Sequence, residues 1–141
     1  MVDISAKEPT FRIARVEGLV KIKPAHRAAL ANLPKGDALG VARIAGIQGG
    51  KRCSELIPLC HPIALTDLRV DVELTSEGIR IEAEARTVAA TGVEMEAYTA
   101  VAVAGVTVID MLKGVDPDLE LTSIRLMSKS GGKSDFDRHN A

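Results

Sequence analysis

The chain has 141 residues, the size of one domain that can bury a core of its own. Lys and Arg number 18 against 19 Asp and Glu, and a net charge of -1 excludes the basic surface that nucleic acid or an anionic membrane requires. Aromatic residues make up only 2% and Trp is absent, which excludes a stacking platform for single-stranded nucleic acid.

The first third of the chain predicts a strand followed by two helices. Arg12–Ile22 alternates apolar and polar residues, as a strand does, and Pro24 suits the first turn of a short helix. Asp37 can cap a second helix, and Gly49–Gly50 is predicted to end or loosen it. Apolar residues recur at helical spacing in this second helix at Leu39, Val41, Ile44 and Ile47.

The middle of the chain predicts a β-hairpin with one solvated face. Leu68–Leu74 alternates, and the alternation resumes after the turn at Ser76–Gly78. Four small or branched apolar residues alternate with four charged ones in the second strand: Ile79, Ile81, Ala83 and Ala85 against Arg80, Glu82, Glu84 and Arg86.

A long helix and a last strand follow. Thr91 and Glu94 fit the capping-box pattern before an apolar run, which predicts a helix that reaches Lys113 and ends at Gly114. Leu121–Met127 predicts a strand. We treat residues 1–141 as a single domain whose ends, 1–10 and 135–141, are expected to be flexible.

The order of strand, helices, two strands, helix and strand predicts an α+β fold. Its sheet is expected to be mainly antiparallel, with the helices on one face. Two cysteines are too few for a disulfide scaffold, and no secretion signal is recognisable, so we expect a reduced, cytosolic protein.

The long helix carries no charge from Ala97 to Ile109, a run too short to span a bilayer. A helix that is apolar all round must be covered all round, which predicts a second subunit on the side that the sheet leaves free. Small residues on the long helix would let the backbone of this second subunit approach closely: Ala97, Ala100, Ala104 and Gly105. The alternative is a helix sunk between the sheet and loops of its own chain.

Asp110 and Lys113 lie three residues apart at the end of this helix. A carboxylate is unfavourable beside the negative end of the helix dipole, which invites a functional explanation. The pair can act as an acid–base couple, and the alternative is a surface ion pair that contributes at most about 1 kcal/mol.

Two acids and a histidine are further candidates. The capping box accounts for Glu94, and the carboxylate of Glu96 is favourable at the positive end of the helix dipole. Both carboxylates could also accept hydrogen bonds from the N–H edge of a guanine-like ring. His61 lies in Leu56–Pro62, where flanking prolines favour a rigid turn that could point it at a ligand.

Two metal or phosphate motifs are incomplete. Cys53, Cys60 and His61 do not have the spacing of known zinc sites. Gly132–Ser134 mimics the end of a P-loop, but the glycine required five positions earlier is Met127. A glycine-rich segment between two lysines remains plausible for binding phosphate, with further loop cations at Lys35, Lys51 and Arg52.

Four strings occur in a characteristic order: LIPLCHP (56–62), TGVEMEA (91–97), DMLK (110–113) and KSGGKS (129–134). With MVDIS at the start and KGD at 35–37, they closely resemble the cyclic pyranopterin monophosphate synthase family of molybdenum cofactor synthesis. The resemblance covers nearly the whole chain.

This resemblance implies a ferredoxin-like subunit in a cytoplasmic homohexamer, a trimer of dimers, with active sites between subunits. It implies a lyase that converts 3′,8-cyclo-7,8-dihydroguanosine triphosphate to cyclic pyranopterin monophosphate and pyrophosphate. The resemblance implies no cofactor and no set of metal ligands in the protein, although Mg²⁺ could accompany the triphosphate.

Site residues carry over position by position. Asp110 and Lys113 match the catalytic pair of the family. The positions that match substrate contacts are Leu59, Cys60, His61, Glu94, Met95, Glu96, Lys35, Lys51, Lys129 and Arg12. Three residues depart from the usual pattern: Tyr98 replaces leucine, Cys53 replaces threonine and Gly114 replaces alanine. From the residues alone, a non-catalytic module that binds a phosphorylated ligand and a scaffold without a ligand stay open as alternatives.

Overall fold

The computed structural model describes residues 1–140 and has one five-stranded sheet with helices on one face. The strands are β1 (Thr10–Lys21), β2 (Leu65–Leu74), β3 (Ile79–Ala89), β4 (Glu120–Ser130) and β5 (Phe136–Asp137). The α-helices are α1 (Ala38–Lys51), α2 (Cys53–Leu56) and α3 (Glu94–Leu112), with 3₁₀ turns at Pro24–Ala31 and Arg138–Asn140. The predicted α+β fold is confirmed.

The strands lie in the order β2-β3-β1-β4-β5, and every neighbouring pair is antiparallel. The four long strands and the two long helices give the ferredoxin-like arrangement that the resemblance implies. Strand β1 is central because it pairs with β3 along one side and with β4 along the other.

The two faces of the sheet differ as the alternation predicts. The inward residues of β3 are fully buried under the helices. The outward face carries a ladder of cross-strand ion pairs: Arg15–Glu82 at 2.7 Å, Arg80–Glu17 at 3.0 Å and, within β3, Arg86–Glu84 at 2.6 Å. The predicted hairpin with one solvated face is confirmed.

Helix α3 supplies much of the core. Val101, Val108 and Leu112 are fully buried, and the helix packs against β1, β3, β4 and α1. By length and composition alone α3 is apolar enough to cross a membrane, with a mean hydropathy of 1.4. Its burial against the sheet explains that composition without a membrane.

The small residues of α3 face their own chain, so the prediction that they admit a second subunit is wrong. Ala97, Ala100 and Ala104 are fully buried. A Cβ atom on Gly105 would come within 2.6 Å of the Leu121 side chain in β4, and Ala100 lies beside Gly46 of α1. The alternative interpretation, a helix sunk within its own chain, accounts for these positions.

Helix α1 begins as predicted but ends later. The side chain of Asp37 accepts from the Gly40 N–H at 3.1 Å, which confirms the cap. The helix ends at Lys51, one residue beyond Gly49–Gly50. A Cβ atom on Gly50 would lie 3.0 Å from the Glu96 carbonyl oxygen and even closer to Leu68, so glycine serves here to let α1 approach α3.

The prediction of a capping box at the start of α3 is wrong. Val93 precedes the first helical residue, and no side chain caps the helix there. Glu94 instead pairs with Lys129 of β4, whose Nζ lies 3.2 Å from its Oε1. The carboxylate is therefore tied to a neighbouring strand and not to the helix backbone.

Flexibility of residues 1–10 and 135–141 stays a prediction, but much of the C-terminal segment is hydrogen-bonded. Strand β5 pairs with Ser128 and Lys129 of β4, and Arg138 donates to the Leu126 carbonyl at 2.8 Å. Ala141 lies outside the described residues.

Tyr98, one of the three departures from the family pattern, contacts the sheet. Its hydroxyl accepts a hydrogen bond from the Leu126 N–H of β4 at 3.0 Å and so links α3 to this strand.

We predict that Gly46→Val destabilises the fold by about 1–3 kcal/mol through overpacking. A Cβ atom on Gly46 would lie 2.9 Å from the Ala100 carbonyl oxygen, which cannot move without shifting α3. Urea denaturation at one protein concentration measures the change. Gly114→Ala is the matched control, since its Cβ meets nothing within 4 Å, and equal stability of the two variants would contradict the prediction.

Candidate active site

The predicted site residues form two groups at opposite ends of α3. Glu94, Met95 and Glu96 lie in its first turn, whereas Asp110 and Lys113 lie in and after its last turn. At 1.5 Å per residue, Glu96 and Asp110 are about 21 Å apart along the helix axis. No single cleft of one protomer can bring the two groups together.

A cationic cavity of about 210 Å³ lies beside the first turn of α3. Lys7, Arg12, Lys129 and Lys133 line it, together with the glycine-rich segment after β4 and the Thr91–Glu94 segment. The structure thus brings together the glycine-rich segment, Lys129 and Arg12.

Two of the four cations of this cavity, Arg12 and Lys129, are held by neighbouring residues. Arg12 donates through Nε to the Thr10 hydroxyl at 3.0 Å, and its guanidinium lies against Gly132. Lys129 is fixed by its ion pair with Glu94. Positioned donors of this kind suit phosphate oxygens, because charged hydrogen bonds to phosphate are strong and directional.

A second cavity, of about 300 Å³, shares a wall with the first. Lys7, Thr91, Gly92 and Glu94 line both, and Leu59, Cys60, His61 and Met95 complete the second. The predicted contact segments 59–61 and 94–95 therefore meet at one place. Together the two cavities form a trough with a cationic end and an end of mixed polarity.

His61 is oriented by a backbone contact. Its Nε2 lies 2.7 Å from the carbonyl oxygen of Val2. A carbonyl oxygen only accepts, so Nε2 carries a proton in this contact. The N-terminal segment thereby closes one side of the second cavity.

A buried carboxylate and two thiols meet beneath the trough. Glu96 is only 3% exposed, and the Cys60 thiol donates to its Oε1 at 3.8 Å. Burial raises the pKa of Glu96, and burial beside Cys53 and Glu96 raises the pKa of the Cys60 thiol to about 12. Lys51 and Cys53 line a small adjoining cavity with Glu96.

The other end of α3 carries an exposed lysine–aspartate–lysine group. Asp110 lies 2.9 Å from Lys113 and 2.7 Å from Lys35, which comes from the loop before α1. Hydrogen bonds from Lys35 and Lys113 lower the pKa of Asp110 to about 2. The carboxylate is half exposed and stays ionised near neutral pH in this arrangement.

Sequence reasoning missed one cation, and one amide of the glycine-rich segment is already hydrogen-bonded within the chain. Lys7 lines both cavities, but it lies in an irregular segment where no periodicity or motif points to it. Gly131 adopts a φ of +95°, and its N–H donates to Asp135 at 3.3 Å, so this amide is already used.

Comparison with known proteins decides the family. Residues 1–132 match the MoaC family. The chain belongs to the MoaC family. Cyclic pyranopterin monophosphate synthase of Deinococcus radiodurans is 55% identical to this MoaC chain over 136 residues, covering 95% of the chain and 81% of the relative.

Two further relatives of this MoaC chain come from distant organisms. Cyclic pyranopterin monophosphate synthase of Roseiflexus castenholzii is 53% identical over 138 residues, covering 95% of the chain and 87% of the relative. Molybdenum cofactor biosynthesis protein 1 of Drosophila melanogaster is 51% identical over 142 residues, covering 98% of the chain but 25% of that longer protein.

We predict that Glu96→Gln stabilises the protein at pH 7 by on the order of 1 kcal/mol, because it removes a buried charge. A carboxyl group whose pKa is raised by folding lowers stability above that pKa and does not do so below its ordinary value of 4.5. The gain in thermal stability should therefore disappear at pH 4.

Glu94→Gln is the control for this comparison, because Glu94 is paired with Lys129 and its removal should bring no gain. A loss of stability in Glu96→Gln at pH 7 would show that the ionised carboxylate is favourable where it lies.

Proposed function

We propose that this chain is a lyase that converts 3′,8-cyclo-7,8-dihydroguanosine triphosphate to cyclic pyranopterin monophosphate and pyrophosphate. The observation that carries this assignment is the trough at the start of α3, where a cationic cavity adjoins one lined by an imidazole and a carboxylate. This pairing suits a ligand with a triphosphate at one end and a guanine-derived ring at the other.

The triphosphate lies in the cationic cavity in this proposal. A triphosphate carries about four negative charges, and Arg12, Lys129, Lys7 and Lys133 offer four cations. They hold the chain of phosphates while the cyclic phosphate forms and pyrophosphate leaves, which is mainly positioning and charge stabilisation. A Mg²⁺ ion, if it accompanies the substrate, is carried by the phosphate oxygens.

The guanine-derived ring lies in the second cavity. His61, with its orientation fixed by Val2, and Glu94 provide polar groups at its wall, and Leu59 and Met95 provide apolar ones. Glu96 and Lys51 flank the adjoining cavity and complete the set of contacts. With Trp absent and few other aromatic residues, hydrogen bonds and charge provide most of the recognition.

Asp110, Lys113 and Lys35 act from a neighbouring subunit. They are exposed in a single protomer, and about 21 Å of helix separates them from Glu96, so only a second chain can bring such a group to the trough. Beside a substrate, the carboxylate and the two ammonium groups move protons during ring opening and closure.

We expect the oligomer to be a homohexamer, a trimer of dimers. Val41, Ile44 and Val106 support association, since these apolar side chains of α1 and α3 are 44%, 51% and 60% exposed in one protomer. A cytoplasmic location fits the two cysteines, which are free thiols.

The product assay is the direct test of function. The wild-type protein, given the cyclised dihydroguanosine triphosphate, should release pyrophosphate and a pterin that chromatography detects by fluorescence after oxidation. Asp110→Asn and Lys113→Ala should each lower single-turnover pterin formation by about 100-fold or more, since a positioned acid or base contributes that much. Tight binding without turnover by the wild type would favour the non-catalytic binding module.

Mixed oligomers test whether each site is shared. Subunits with Asp110→Asn and subunits with Glu96→Gln should both be inactive alone, but co-expressed with different tags they should recover activity at about a quarter of the sites. The control is a mixture of Asp110→Asn and Lys113→Ala subunits. One subunit supplies both of these residues to a site, so every site in this mixture carries one of the two changes and no activity should return. Recovery in neither mixture would contradict shared sites.

A further inference from the structure

Three side chains that could bind a metal converge beneath the trough. The Sγ atoms of Cys53 and Cys60 and a carboxylate oxygen of Glu96 all lie within 4.8 Å of one another. They come from three separate segments: α2, the proline-flanked turn and α3. Cys53 is held by the Thr99 hydroxyl, which donates to its Sγ at 3.3 Å.

The spacing of these donors fits a shared cation. Two sulfur ligands at the usual zinc distance, separated by the tetrahedral angle, lie about 3.8 Å apart, and a sulfur and a carboxylate oxygen lie about 3.6 Å apart. The two Sγ atoms are 3.7 Å apart, and Cys60 Sγ lies 3.8 Å from Glu96 Oε1. A disulfide requires about 2.05 Å, so the thiols are placed for coordination without a bond between them.

Glu96 provides the second, independent indication of a ligand. Its Oε2 is buried and has no hydrogen-bond partner among residues 1–140. An ionised oxygen in that position is left without compensation, which a cation would supply. The adjoining cavity of about 160 Å³, lined by Lys51, Ser54 and Glu96, leaves room for water as a fourth ligand.

We propose that Cys53, Cys60 and Glu96 form a binding site for a thiophilic divalent cation, for which Zn²⁺ is the best match. Binding transfers one proton from each thiol to solvent and leaves every oxidation state unchanged. Two thiolates and a carboxylate bring three negative charges against two positive ones, and Lys51 in the cavity wall offsets the remainder.

The donor set differs from the one considered at the level of sequence. His61 is directed to the Val2 carbonyl and does not belong to the cluster, while Glu96, distant along the chain, replaces it. The site also depends on Cys53, a residue at which this chain departs from the usual family pattern. Its test does not depend on the proposed lyase activity.

Cobalt titration of the reduced, metal-free, full-length protein tests the site. Co²⁺ should produce a thiolate charge-transfer band in the near ultraviolet at one ion per chain, and Zn²⁺ should abolish the band by displacement. Mg²⁺ should leave it unchanged, because this cation prefers oxygen ligands.

Variants connect the band to these residues. Cys53→Ala and Cys60→Ala should each lose the band at one Co²⁺ ion per chain, because each removes one of the two thiolates, while circular dichroism shows an intact fold. Glu96→Gln, which keeps the shape of the side chain, should weaken Co²⁺ binding, and Ser54→Ala, a change in the same cavity wall, should keep both the band and the affinity. Absence of the band in the wild type, its persistence in Cys53→Ala and Cys60→Ala, unchanged Co²⁺ affinity in Glu96→Gln, or loss of the band with Mg²⁺ would overturn the proposal.

Discussion

The burial of α3 against the sheet and α1 is the constraint on which the rest of the structure depends. Elements β1, β3, β4 and α1 cover most of the body of α3, and the helix carries no charged residue from Ala97 to Ile109. The charged groups lie at its ends: Glu94 lines the trough, Glu96 is buried beneath it, and Asp110 faces solvent at the other end. The separation of the candidate catalytic groups follows directly from the apolar composition of the segment between them.

Sequence reasoning recovered the elements whose signal is local. Alternation predicted the β2–β3 hairpin and its solvated face, and Asp37 was recognised as a cap because its partner lies three residues away. The error at Thr91 has a tertiary cause, because the contact of Lys129 with Glu94 outweighs the local preference for a capping box.

The candidate site likewise divides into features that the sequence could predict and features that only the fold brings together. The resemblance supplied the residues, and the structure supplies their arrangement: Arg12 and Lys129 share a cavity, whereas Lys35 joins Asp110 at the far end of α3. Periodicity could not find Lys7, nor the approach of Cys53 to Glu96, because both depend on irregular segments brought together by the fold. If both proposals hold, a cation and the substrate compete for Cys60 and Glu96.

The ladder of paired arginines and glutamates on the outer sheet face limits how copies of this chain can associate. Stacking two such faces would remove water from the charged groups of both sheets. The free-energy cost of this desolvation exceeds the attraction within the existing ion pairs. Face-to-face aggregation of the sheets is thereby disfavoured. Contacts between protomers are left to the helical side and to the strand edges, which narrows the geometries open to any assembly.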